Sequence, residues 1–303
     1  MGGGGMPNMG GFGDIFGNMG GGGGGGGGRQ PRRQQQQQKQ HRKEPPVLKE
    51  DPSGVVPLGK AKFPDFKSKH PWLLLFYNKE KFDEDATTQQ YVSIAKKISE
   101  GVLKKAKGSK NYMTFKVGAV DCSDAAAKKF CKSKLGGDKV PSFATVLNGS
   151  VSVIADDDAL RNAKQLHDYT TNSLINMDGL VINVNSKAHV QSRLLSTSST
   201  PGHPSISILL LTDKYETSPL YVSLAYRHRQ DGFSAFGESR GSNVQMGKEY
   251  SVKKYPHLIA LVNNEEIIKY EGKSFDSENL SKWLNGLSKK YFKSSSDSRR
   301  RSR

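Results

Sequence analysis

The sequence predicts an α/β protein made of two copies of one domain, behind a glycine-rich segment that stays disordered. Three observations carry this. The stretch Phe115–Gly149 runs apolar strand (ending Val120-Asp121-Cys122), short helix through Ala127 and Phe130, Gly136-Gly137 break, Val140-Pro141, apolar strand Phe143–Leu147, and an Asn148-Gly149 turn. Asn-Gly between apolar runs is a strong hairpin signal. A weaker echo spans Phe233 to Asn264: Pro256 stands before the apolar run Leu258–Val262, Asn263-Asn264 turns the chain, and Ile267–Tyr270 returns to Gly272. A unit repeated at this distance indicates two copies of one domain. Finally, residues 1–28 are almost all glycine, with little to bury and a high entropy of ordering.

A proline that opens a strand needs a reason, since it cannot donate to the sheet ladder. A cis bond in a tight turn supplies one at Val140-Pro141.

Taken in order, residues 29–50 form a polar Arg/Gln/Lys linker with Gln34–Gln38 unbroken. Val55-Val56 opens the first domain, Phe63 and Phe66 are expected on one face of a short helix, and Trp72–Tyr77 is a buried strand by length and apolarity. Tyr91, Ile94, Ala95, Ile98 and Val102 make one stripe of a long helix. Asp156, Asp157 and Asp158 open the closing helix of Leu160, Ala163 and Leu166, where the helix dipole favours acidic residues.

The second domain begins near Leu180-Val181-Ile182 with a helix and a loop over 196–204. Next come strand Ile206–Leu211, helix Ser218–Tyr226, strand Phe233–Phe236 and a short helix Val244–Tyr250. A last helix carries Leu280, Trp283, Leu284, Leu287 and Tyr291, with Ser277 as its N-cap. The basic, serine-rich tail is expected to be disordered. The expected domains are therefore 51–175 and 176–293, flanked by segments 1–50 and 294–303.

At these residues the chain resembles the thioredoxin fold, in particular the domains of protein disulfide isomerases. The matching pieces are Pro71–Tyr77, Val120-Asp121-Cys122, Val140–Phe143 and Asn148-Gly149. In the second copy they are Ile206–Leu211, Tyr250-Ser251-Val252 and Tyr255-Pro256. The resemblance covers roughly residues 51 to 293. It implies a central mixed sheet flanked by helices in each domain, and an endoplasmic reticulum lumen setting, with the cytoplasm as the alternative. The wording Gly10–Gly17 (GGFGDIFG) also resembles the Gly/Phe-rich region that follows the J domain of Hsp70 co-chaperones. The J domain's His-Pro-Asp is missing: the His-Pro pairs here are His70-Pro71-Trp72 and His203-Pro204-Ser205. The chain thus reads as the C-terminal part of a J-protein, with Hsp70 as a partner only if a J domain lies upstream.

In that family a Cys-x-x-Cys follows the Phe-Tyr of the central strand, where a helix start activates the thiol. Here Phe76-Tyr77 is followed by Asn78-Lys79-Glu80-Lys81, and the second copy by Thr212-Asp213-Lys214-Tyr215, so no enzyme activity is expected. Cys122 and Cys131 lie elsewhere. They read as half-buried thiols or as one structural bridge in an oxidising compartment, and a thiol oxidoreductase using this pair is an alternative function. The prolines offer a binding site by resemblance: the residues before them, Val140 and Tyr255, present main-chain donors and acceptors with which an extended client backbone pairs as a strand. Against that stands a role for Pro141 and Pro256 in the turn alone.

Lys and Arg number 46 against 29 Asp and Glu, giving +17, much of it at the ends. That excess admits a nucleic-acid-binding alternative through the Gly/Arg head and Ser/Arg tail. Neither end interleaves aromatics with arginine as stacking segments do. No cofactor and no metal site is expected, since the seven histidines are scattered without ligand spacing. His228, in Tyr226-Arg227-His228-Arg229, reads as solvated in a basic loop. No apolar run reaches membrane-spanning length, so no membrane partner is expected, and no basic region precedes an apolar run at the N-terminus. The leading reading is a redox-inactive chaperone or co-chaperone module that binds unfolded or partner proteins.

Overall fold

A computed structural model describes residues 55–108, 114–195, 204–263 and 265–293. The glycine-rich head, the linker, the tail, most of the 196–204 loop and Asn264 lie outside them. The described residues all belong to one compact unit.

The first half comprises β1 (Val56–Leu58), β2 (Trp72–Tyr77), α1 (Ala86–Gly108), β3 (Lys116–Asp121), α2 (Ala125–Leu135), β4 (Ser142–Leu147), β5 (Ser150–Val153), α3 (Asp157–Leu160) and α4 (Ala163–Ile175). Its sheet order is β1-β3-β2-β4-β5. The first three strands are parallel, β4 runs antiparallel to its neighbour β2, and β5 runs antiparallel to β4. The second half repeats this with β6 (Ile182–Asn183), α5 (Lys187–His189, continued by a π turn to Leu195), β7 (Ile206–Leu211), α6 (Pro219–His228), β8 (Ala235–Ser239), α7 (Val244–Glu249), β9 (His257–Val262), β10 (Glu266–Lys269) and α8 (Ser277–Ser288). Its order, β6-β8-β7-β9-β10, carries the same directions. Two five-stranded mixed sheets, each flanked by helices, are the tandem thioredoxin-like fold that the sequence predicts.

Period two sorts each central strand between two cores. Leu73, Leu75 and Tyr77 meet α1 and α4 through Ile94, Ala95, Ile98 and Leu166. Leu74 and Phe76 face α2 with Val120, Ala144 and the two cysteines. In the second half Ile206, Ile208 and Leu210 pack on α6 and α8, and Leu209 and Leu211 on Val190, Leu194 and Met246. Each such buried aliphatic side chain contributes roughly 1.5–3 kcal/mol.

The Asn148-Gly149 turn has φ +51° and +77°, the left-handed pair a two-residue hairpin needs. A Cβ at Gly149 would lie 2.8 Å from the Phe66 amide, so glycine also lets the turn meet the 65–66 loop. The peptide bonds Val140-Pro141 and Tyr255-Pro256 are cis.

Several local expectations are corrected. Phe63 and Phe66 share no helix face: a 3-10 turn spans only Lys60–Lys62, Phe63 packs on Phe76 and Phe130, and Phe66 is exposed. The closing helix is broken into α3 and α4, because Asn162 caps a second start by accepting from the Lys164 and Gln165 amides. The N-cap of α8 is Asp276, not Ser277; its carboxylate accepts from the Glu278 and Asn279 amides. The Asn279 amide, then the Ser274 hydroxyl, hold that carboxyl near pKa 2. The strand expected at Phe233–Phe236 lies at Ala235–Ser239, since Phe233 turns into the core beside Phe236 and Phe292.

Candidate functional site

In both halves a cleft opens beside the residue that precedes the cis-proline. The first, of about 480 Å³, lies at the C-terminal ends of β2 and β3 and is walled by Asn78, Asp85, Thr88, the Cys122–Cys131 bridge, Gly137 and Val140.

Local sequence explains its walls. After Tyr77 the chain makes a 3-10 turn, capped by the Asn78 side chain accepting from the Glu80 amide. Asp121, at the end of β3, accepts from the Lys79 and Ser123 amides at 3.2 and 3.0 Å, which pins that turn to the sheet. Asp85 begins α1, accepting from the Thr87 amide and the Thr88 hydroxyl at 3.0 and 2.6 Å. The Thr88 hydroxyl is the main cause of the lowered pKa of Asp85, which therefore sits as an anion at the positive helix end. Cys122 and Cys131 are both buried and joined, with Cα atoms 6.1 Å apart, tying the end of β3 to the middle of α2.

The second cleft, of about 500 Å³, is walled by Val244, Gly247, Lys248, Val252 and Tyr255. Tyr255 Oη donates to the Asn243 carbonyl at 3.4 Å, and a Cβ at Gly247 would come within 2.6 Å of that hydroxyl. Glycine here is what lets the ring lie on α7.

Val140, Pro141 and Tyr255 are half-buried, and Pro256 is exposed. Among the described residues, neither the backbone amide nor the carbonyl of Val140 has a hydrogen-bond partner, and the same holds for Tyr255. Pairing in β4 begins only at Ser142 and in β9 at His257. Each cleft thus has on its wall a free main-chain donor and acceptor in line with a strand.

No protein-family model matches the chain, and no curated protein does. Among solved structures it is similar to ERdj5 in crystal form I, at 16% identity, covering 77% of this chain and 28% of that one, with a TM-score of 0.31. It is similar to the zinc-bound form of human ERp44 at 16% identity, 76% and 56% coverage and a TM-score of 0.33. For the first two thioredoxin domains of Saccharomyces cerevisiae Eps1p the values are 11%, 77%, 97% and 0.31. The chain spans well under two thirds of the ERdj5 and ERp44 chains.

His228 corrects the expectation of a solvated ring. It ends α6, is 1% exposed, and its Nδ1 lies 2.7 Å from Asp231 Oδ2. Burial lowers its pKa, which the Asp231 hydrogen bond only partly offsets. Sequence reasoning also passed over Arg229 and Glu238. Arg229 bridges the two halves, with its guanidinium 3.8 Å above the Tyr226 ring. Glu238 is 2% exposed and accepts from the Thr217 hydroxyl at 2.5 Å, with Arg240 3.4 Å away. The run Arg227-His228-Arg229-Gln230-Asp231 was the available signal, because polar density straight after an apolar helix face marks an interface as readily as a loop. No described group of His, Cys, Asp and Glu has a metal-holding arrangement, and no described helix is long and apolar enough to cross a membrane.

Proposed function

We propose that the chain is a redox-inactive tandem thioredoxin-like module that binds extended segments of unfolded or partner proteins beside Val140-Pro141 and Tyr255-Pro256. The observation that carries this reading is the unpaired amide and carbonyl of Val140 and of Tyr255, each on the wall of a cleft of about 500 Å³. An unpaired backbone edge is the element that strand addition uses: main-chain hydrogen bonds give affinity and adjoining pockets take alternate side chains. The redox-inactive part rests on Asn78-Lys79-Glu80-Lys81 standing where the family carries its dithiol, and on both cysteines being joined elsewhere. The bridge supports an oxidising compartment, for which we propose the endoplasmic reticulum lumen. The Gly10–Gly17 wording supports a co-chaperone context.

The test uses a reduced, carboxymethylated protein as a permanently unfolded ligand. Gly137→Trp fills the first cleft, since a side chain there starts in open space. Val244→Glu places a charge at the second, on an exposed residue. The double variant is expected to melt as the parent does and to bind at least tenfold more weakly. Unchanged affinity overturns the site. Insulin disulfide reduction by dithiothreitol is expected at its uncatalysed rate; acceleration that depends on Cys122 overturns the redox-inactive reading.

A further inference from the structure

The two clefts differ in charge. Glu80, Asp85 and Asp138 on the first are balanced by Lys81, Lys128 and Lys132, and Lys132 is paired with Asp138 at 2.7 Å. The second is lined by Lys248 and Lys253 and, among the described residues, by no acidic side chain.

The turn after α7 puts both lysines on one cleft. The Ser251 amide donates to the Lys248 carbonyl at 3.1 Å. Ser251 takes a left-handed φ of +52°, which reverses the chain, and the Val252 amide then reaches the Gly247 carbonyl at 2.7 Å. Lys253 follows directly. Both lysines are exposed, and neither has a carboxylate partner among the described residues. The neighbouring acid, Glu249, is paired with Lys187 at 2.5 Å. A third cation, Lys269 on β10, donates to the Ser251 carbonyl at 3.0 Å and adds its charge to the same turn.

Beside these charges lie apolar surface and open backbone. Val244, one helical turn before Lys248, is 67% exposed on the cleft wall. Tyr255 adds its unpaired amide and carbonyl. In a strand, side chains two residues apart point the same way, so a segment paired at Tyr255 turns alternate side chains into the cleft. A nucleic-acid backbone brings no amide to pair with Tyr255 and no aliphatic side chain to cover Val244.

We infer that the second cleft selects extended client segments in which an acidic side chain stands two residues from an apolar one. The carboxylate lies between Lys248 and Lys253, and the apolar side chain covers Val244. The balanced first cleft makes no such selection. This rests on the strand pairing proposed at Tyr255 and names the class of segment that the second site takes.

The experiment titrates the isotope-labelled full chain with short serine- and threonine-rich peptides whose central triplet is Glu-Thr-Leu, Gln-Thr-Leu or Lys-Thr-Leu. The Tyr255 amide shift reads the Kd of the second cleft, and the Val140 amide that of the first. Exposed ion pairs are each worth a few-fold at most, so at Tyr255 the Glu peptide is expected to bind about fivefold tighter than the Gln peptide, and the Lys peptide weaker than both. At Val140 the three should agree within about twofold. Raising sodium chloride from about 0.05 to about 0.5 M should erase the preference at Tyr255, because screening shortens. Lys248→Gln combined with Lys253→Gln should cut it below about twofold. Equal Glu and Gln affinities at a Tyr255 amide that responds overturn the acidic selection and leave the strand pairing standing. A preference that persists in the double variant overturns the role of the two lysines. If no peptide moves the Tyr255 amide, the pairing and the selection both fall. An oligothymidylate that displaces the Glu peptide at lower concentration than the peptide's own Kd overturns the polypeptide reading in favour of nucleic acid.

Discussion

Replacing Arg229 by alanine should uncouple the two halves. Its guanidinium donates to Asn148 Oδ1 at 2.5 Å, to the Phe66 carbonyl at 2.8 Å and to the Ser68 carbonyl at 2.9 Å, all on the first half, and to the Tyr226 carbonyl on its own side at 2.5 Å. Hydrogen bonds to a charged group contribute roughly 1.5–3 kcal/mol each. Three in one side chain do not add, and the partly exposed carbonyls of Phe66 and Ser68 regain water. Loss of the contact over Tyr226 adds about 1 kcal/mol. The coupling lost is then about 2–4 kcal/mol, against the weaker contacts left behind, such as Tyr226 Oη accepting from the Asn148 amide at 2.8 Å. The assay follows from the positions of the two tryptophans: Trp72 is on β2 of the first half and Trp283 on α8 of the second. Trp283→Phe and Trp72→Phe give single-tryptophan proteins that report one half each during urea unfolding. The midpoints are expected to coincide with Arg229 present. With alanine they should separate and fall by on the order of 1 M, from urea slopes of about 1–3 kcal/mol/M. Midpoints that stay together and move by less than about 0.2 M would refute the clamp.

Acid stability should show the burial of His70 too. The unfolded pKa of His70 is 6.5 and the folded one about 3, so the unfolded chain binds the proton first and stability falls as pH drops below 6.5. By pH 5 the His70 share is about 2 kcal/mol, and His70→Gln should flatten the pH dependence by that amount. Asp276→Ala removes the cap of α8 and should cost about 1 kcal/mol, or a few degrees in Tm by calorimetry. Cys131→Ser opens a loop of sequence separation 9, which should cost about 2.5 kcal/mol under non-reducing conditions and almost nothing further when dithiothreitol is added.

What could be read in the sequence was what neighbours along the chain decide. The apolar run Trp72–Tyr77 has the length of a strand, Asn148-Gly149 has the turn chemistry, and the stripe from Tyr91 to Val102 has the helical period. What could not be read depends on pieces far apart in sequence. Arg229 and Phe66 are 163 residues apart for one of their bonds, so nothing local marks the arginine as a clamp. His228 looked solvated because its neighbours are basic, yet the end of α6 is buried against Phe233. Asp276 and Ser277 both suit a cap, and the choice falls to the carboxylate that Ser274 and Asn279 orient. Val140 and Tyr255 could be proposed from the prolines that follow them. The clefts beside them could not, since their walls come from four or more separated segments in the first half.

The most direct test of the client-binding account is an amide-resolved footprint. The labelled protein is titrated with a carboxymethylated unfolded protein, and backbone amide shifts and exchange protection are followed by NMR. The account predicts the largest shifts and new protection at the amides of Val140 and Tyr255, with changes at cleft residues such as Gly137 and Lys248. Binding that leaves both amides unmoved and unprotected, with its footprint elsewhere, would contradict it.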